Sequence, residues 1–326
     1  MVNPYIGHEL QVSGVQEMRL VGGKGDGQRI YEISNGKGLE MKISPDRNGD
    51  ITQLRFNGIN CSYLSPCGYV APAYYESTGF NWLKSFTAGF LTTCGLQAVG
   101  APCTDDGEEL PLHGSIANQP SAQSWWEDDE DEIRIHTVTR DEVIFGRKLV
   151  LRRTVAISRR ENAFTICDEI ENTGSKTEPV EILYHMNMGY PLLDEDSVIS
   201  IPSVEVTPRS DDATKDLDKW MIMEKPQAGY SEQCFYHRFD GENAEVSIYQ
   251  PKNGVKLSIA ADPRELDGFV EWKMMGVRDY VLGLEFGNCY PDGRNVMRET
   301  GMLKFLEPGE KKEYCVQVRL ENKGNK

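Results

Sequence analysis

Basic residues and histidines are scarce in this chain. Against 51 aspartates and glutamates stand 35 lysines and arginines, and the net charge over 326 residues is −16 with five histidines. Nucleic acids and anionic membrane surfaces both require a basic face, so neither is an expected partner. Long apolar runs are missing too. No stretch approaches the ~18 residues that would cross a bilayer, and the first residues lack a basic segment leading into an apolar one. A cytoplasmic location is the resulting expectation. There is no Cys-x-x-Cys, and the Cys61/Cys67 and Cys94/Cys103 spacings match no zinc pattern, so no metal site is expected. Several of the eight cysteines, Cys167 and Cys315 among them, sit inside apolar alternating segments and read as buried reduced thiols. Helical periodicity is confined to residues 213–224 and 74–86, enough for short helices only.

Period-two alternation fills the space that helices leave. In 148–157, Leu149, Leu151, Val155 and Ile157 share one parity, interrupted by Arg153, while Arg152 and Thr154 take the other. Phe164, Ile166 and Ile170 repeat the pattern, and similar segments lie at 133–139, 245–249, 255–260 and 314–320. Turn dipeptides separate them: Asn35-Gly36, Asn57-Gly58, Asp240-Gly241, Asn253-Gly254 and Pro308-Gly309. Many short strands with few helices predict an all-β fold, a large antiparallel β-sandwich. No repeat or linker divides it, so residues 1–326 read as one domain, with 1–28 as a possible amino-terminal extension. Gly22 to Gly27 lacks the phosphate-loop pattern and reads as a flexible turn. The acidic run Glu127 to Glu132 reads as a solvated hairpin tip, and Trp125-Trp126 as strand packing.

Chemistry concentrates at three places. Tyr280-Val281-Leu282-Gly283-Leu284 reads as a buried strand that carries Glu285 to its rim, followed by the polar turn Asn288-Cys289-Tyr290-Pro291-Asp292-Gly293. His185 follows an apolar run in Leu183-Tyr184-His185-Met186-Asn187, and His113 precedes a turn in Pro111-Leu112-His113-Gly114. His8, His136 and His237 have no neighbours that ask for chemistry and read as structural. A glutamate with ordinary pKa ~4.3 and a histidine near ~6.5 form a serviceable acid/base pair at neutral pH.

Leu284-Glu285 with Asn288, Pro291-Asp292-Gly293 and Asn295 resembles the aldose 1-epimerase (galactose mutarotase-like) signature Leu-Glu-x-x-Gln-x-x-Pro-Asp-Ala-x-Asn. His185 is similar to that family's acid histidine, and Leu112-His113-Gly114 to its Leu-His-Gly substrate motif; order and spacing agree. Asp46-Arg47-Asn48-Gly49-Asp50-Ile51 and Leu91 to Leu96 resemble segments of a divergent bacterial branch, and the likeness runs from about Arg29 to Leu320. It implies a galactose mutarotase-like supersandwich, with Glu285 as catalytic base, His185 as acid, and His113, Arg47, Lys273 and Asn288 as substrate-binding groups. It implies no cofactor, and a free monosaccharide as the partner. Two departures stand out: Asn288 replaces the family's glutamine, and the Asn-Arg pair that follows Leu-His-Gly elsewhere is not recognisable here. The alternatives are a non-catalytic carbohydrate-binding or regulatory protein on the same sandwich, and a glycoside hydrolase or lyase.

Overall fold

The computed structural model describes residues 4–324. Three antiparallel sheets carry most of the chain. The first is a five-stranded meander, Gly14–Arg19, Arg29–Ser34, Leu39–Ser44, Asp50–Phe56 and Ile59–Asn60, in chain order. Asn35-Gly36 and Asn57-Gly58 turn it, with Gly36 and Gly58 at φ +74° and +79°, where a glycine avoids the penalty a Cβ would bring. Because Gly14–Arg19 pairs along its whole length with Arg29–Ser34, the chain from residue 14 on belongs to the fold rather than to an extension outside it.

The second sheet has eight strands in the order Gln123–Asp128, Glu132–Glu142, Lys148–Ser158, Ala163–Asn172, Lys311–Asn322, Val255–Ala261, Ala244–Gln250 and Val198–Ser200. The third runs Glu205–Pro208, Gln233–Arg238, Gly268–Met275, Tyr280–Gly287, Glu178–Met188 and Lys304–Leu306, with Leu91–Leu96 also pairing on Glu178–Met188. Alternation decides what each sheet buries. Leu149, Leu151, Val155 and Ile157 point inward opposite Phe164, Ile166 and Ile170, and inward residues of the third sheet such as Tyr184, Met186, Leu282 and Leu284 join them in one core.

Arg153, the interruption in that alternation, is itself inside. It is 1% exposed and pairs in register with Asp168. Its Nη1 lies 2.9 Å from Asp50 Oδ1 and its Nη2 2.7 Å from Asp168 Oδ2. Nη2 also donates to Thr93 Oγ1, and the Tyr184 hydroxyl donates to Asp168. One guanidinium thus ties together strands of all three sheets, and its two carboxylates keep it charged in a water-free place.

Helices are few. Asp211–Lys215 and Arg294–Glu299 are α-helical, and the expected helical stretches resolve into 3₁₀ turns at Pro72–Tyr74, Gly79–Ser85 and Leu217–Lys219. The free-thiol expectation fails for one pair: Cys167 and Cys315 are direct cross-strand partners, Cα atoms 4.3 Å apart, and form a disulfide. Their outward parity places the two sulfurs together on the outer face of the eight-stranded sheet. Trp125 stacks on His136 and Trp126 meets Tyr31 edge-on, as packing residues would.

Candidate active site

Glu178–Met188 and Tyr280–Gly287 are neighbours in the third sheet, and their register sets His185 directly opposite Glu285. Residues of even number on both strands enter the core, so His185 and Glu285 share the other face. That face is also covered, by a second apolar cluster that includes Trp82, Phe86, Leu112 and Val270. The strand runs on to Gly287, so Glu285 lies within it and not at its rim as the sequence suggested. His185 Nδ1 stands 3.2 Å from Glu285 Oε1, with side-chain exposures of 7% and 2%. The angles between them do not make a hydrogen bond, and both atoms are buried without a partner. His237 and Glu271 face each other in the same way within the core, at 3.4 Å, so what sets His185 and Glu285 apart is that they open on a cleft.

The cleft above them has a volume of 770 Å³. His113 stands in its wall, its ring 5.7 Å from that of His185 and 4.9 Å from Trp82. It sits at φ +55°, next to Gly114, where a Cβ would run into the carbonyls of Gly95 and Ala98. The Leu-His-Gly turn therefore requires its glycine in order to present the imidazole. The Gly100 amide donates to His113 Nδ1 at 3.3 Å, which leaves the proton of the neutral ring on Nε2 as a donor.

Groups without a sequence signature complete the walls. Arg209 is aimed by Asp292 (Nε to Oδ1, 2.9 Å) and by the Pro291 carbonyl (Nη2, 3.0 Å), and the Tyr236 hydroxyl holds the same Asp292 oxygen at 2.7 Å. The Pro-Asp-Gly turn thus orients a guanidinium. Trp272 borders the cleft, its ring 5.1 Å from that of His185, and its Nε1 donates to Glu232 at 2.9 Å. Phe86 approaches the His185 ring from another side, at 5.4 Å.

Three expected substrate contacts lie elsewhere. Arg47 is buried and donates to the carbonyls of Val70 and Ser85 at 2.9 and 3.0 Å, bracing the segment that presents Trp82 and Phe86. Lys273 has the parity opposite to Trp272; it points beneath the sheet, where its Nζ donates to the Lys219 carbonyl. Asn288 joins backbones, accepting from the Ile182 amide and donating to the Val180 carbonyl and the Tyr314 hydroxyl. None of the three lines the cleft.

Burial dominates the electrostatics. It lowers His185 to about 4 and lifts Glu285 well above the usual carboxylate range; Glu232 adds to the second effect and Arg209 opposes it. His113 is also pushed well below an ordinary histidine, chiefly by burial and then by His185. Burial thus disfavours the charged form of both facing groups, the imidazolium of His185 and the carboxylate of Glu285. Among the described residues, no group of His, Cys, Asp and Glu side chains has a metal-binding arrangement.

A family model described as a domain of unknown function, DUF4432, matches residues 25–320. The chain belongs to the DUF4432 family. No curated protein matches it. Among solved structures, a candidate aldose 1-epimerase from Klebsiella pneumoniae superposes on this DUF4432 chain with a TM-score of 0.88 at 25% identity, over 95% of this chain and 84% of that one. A galactose mutarotase-like protein from Clostridium acetobutylicum gives 0.68 at 13% identity, over 96% and 99% of the two chains. Galactose 1-epimerase from Lactobacillus acidophilus gives 0.64 at 13%, over 95% and 99%. The DUF4432 chain thus has the galactose mutarotase-like β-sandwich fold.

Proposed function

We propose that the cleft interconverts the α and β anomers of a free monosaccharide by acid/base ring opening. The observation that carries this reading is the cross-strand pair His185–Glu285, buried, facing and unpartnered on the cleft floor. Mutarotation needs one filled and one empty proton site within reach of O1 and O5, which share the anomeric carbon, so an adjacent pair can serve both. The empty site takes the proton of the O1 hydroxyl, whose electrons form C1=O. The C1–O5 bond breaks as the filled site protonates O5, and the aldehyde turns about C1–C2 before the steps reverse. A pair holding one proton supplies both sites: opening exchanges their roles and reclosing restores them. The resemblance assigns Glu285 as base and His185 as acid; burial favours starting with the proton on Glu285, and the bond changes are the same from either start.

His113 Nε2–H and the Arg209 guanidinium are the donors for sugar hydroxyls, and Trp82, Phe86 and Trp272 offer apolar faces to ring C–H groups. Glu232 gives some support to a glycoside hydrolase, since hydrolysis uses two carboxylates and this one borders the same cleft. Saturation-transfer NMR on a panel of free aldoses decides the matter. Anomer exchange should fall by about 10²–10⁴ in Glu285→Gln and in His185→Asn, the worth of one positioned proton transfer. Exchange that survives both substitutions rejects the pair. Sugar binding without exchange establishes a binding protein, and new reducing ends from a glycoside establish the hydrolase.

A further inference from the structure

A second groove, of 370 Å³, lies between the end of the amino-terminal meander and the hairpin that joins Gly268–Met275 to Tyr280–Gly287. Arg55 enters it from the Asp50–Phe56 strand and Arg278 from the hairpin, and the tyrosines at 63, 69, 190 and 280 line it with them. In a chain with 51 acidic residues, no carboxylate borders this groove. Arginines elsewhere are mostly bound to carboxylates, as Arg134, Arg264 and Arg294 are. Among the described residues, Arg55 and Arg278 have no ion pair; Glu40 lies opposite Arg55 across the ladder but forms none with it. Arg278 also holds φ +71°, a left-handed backbone position that a non-glycine residue adopts at a cost. Its neighbour Asp279 lines the main cleft instead. Tyr63 borders both spaces, and its hydroxyl donates to the Arg278 carbonyl at 3.4 Å.

We propose that this groove binds a small ligand carrying an oxyanion, a phosphate, sulfate or carboxylate held by Arg55 and Arg278, on a sugar-sized ring that lies against the tyrosine faces. Two guanidiniums that form no ion pair, in a groove whose own lining holds no carboxylate, offer charge-assisted donors to an anion, although Glu40 stands across the ladder from Arg55 and Asp279 adjoins Arg278. The groove falls in the size range of small-molecule sites, roughly 300–1,000 Å³, and exceeds what a lone tetrahedral anion fills. The proposal does not depend on what the main cleft does.

Calorimetric titration of the full chain with glucose 6-phosphate, inorganic phosphate and glucose tests it, alongside Arg55→Met/Arg278→Met, whose exposed side chains can be replaced without disturbing a core. Glucose 6-phosphate should bind saturably and more tightly than the other two, weaken by about tenfold or more in the double variant, and weaken with added salt. Glu285→Gln should bind it as the parent does. The proposal is overturned by a lack of saturable glucose 6-phosphate binding, by equally tight binding of inorganic phosphate, by glucose 6-phosphate binding no weaker in the double variant than in the parent, by glucose binding that the double variant weakens as much, or by binding lost in Glu285→Gln.

Discussion

Gly283 precedes Glu285 by two residues on the same face of the strand, and the carboxyl folds back over it. A Cβ built at 283 would overlap Glu285 Oε1, stand 3.2 Å from the carboxyl carbon and touch Trp272 Cβ at 3.0 Å. Gly283→Ala therefore forces Glu285 to withdraw by about 1 Å to regain van der Waals distance. A shift of that size at a reacting group costs roughly 10²-fold in rate. Stability should change far less. Alanine gains about 0.5–1 kcal/mol over glycine in a strand, and overpacking subtracts about 1–3, leaving a net loss near 1 kcal/mol and a few degrees of Tm. NMR anomer exchange measured beside thermal unfolding separates the two effects. A folded Gly283→Ala protein that exchanges its sugar within about threefold of the parent would refute the claim that carboxyl placement limits the rate.

The proton shared by His185 and Glu285 has a thermodynamic signature. With the proton of the proposed pair on the carboxyl, the folded pair and the unfolded chain each hold one proton at a pH between the two ordinary pKa values, so unfolding takes up none and the pair adds little pH dependence. Glu285→Gln leaves His185 alone: folded at about 4 and unfolded near ~6.5, it should make stability rise with pH across that window more steeply than in the parent, whose other buried histidines contribute equally to both; identical profiles in denaturant titrations from acid to neutral pH reject the assignment. Arg153→Met strands Asp50 and Asp168 in the core and should cost about 3–5 kcal/mol in urea unfolding; a loss under 1 kcal/mol means the network is not needed. Asp292→Asn frees Arg209 from its charged partner and should raise KM more than it lowers kcat; the reverse pattern places Arg209 in the chemical step rather than in substrate positioning.

Alternation and turn dipeptides made the sandwich legible, since a strand's parity shows in its own residues. His185, Glu285 and His113 could be named because each lies in a local pattern with a known order. What lay across the ladder was hidden. Lys273 and Trp272 are neighbours on a strand and face opposite ways, so only Trp272 reaches the cleft, which a single residue's chemistry does not announce. Asn288 sits in the signature but joins two backbones, a use that a polar residue in a turn does not announce. The Cys167–Cys315 bond spans 148 residues and depends on a register that no local stretch carries. Arg209 and Glu232 come from irregular segments without periodicity, and only the Asp292 contact gives the first of them a place.

The two facing side chains are fixed by backbone ladders, whereas Trp82, Arg209 and Glu232 reach the cleft from connecting segments outside those strands. Changes in those connecting segments can therefore reshape what the cleft admits while the ladder keeps His185 and Glu285 facing each other.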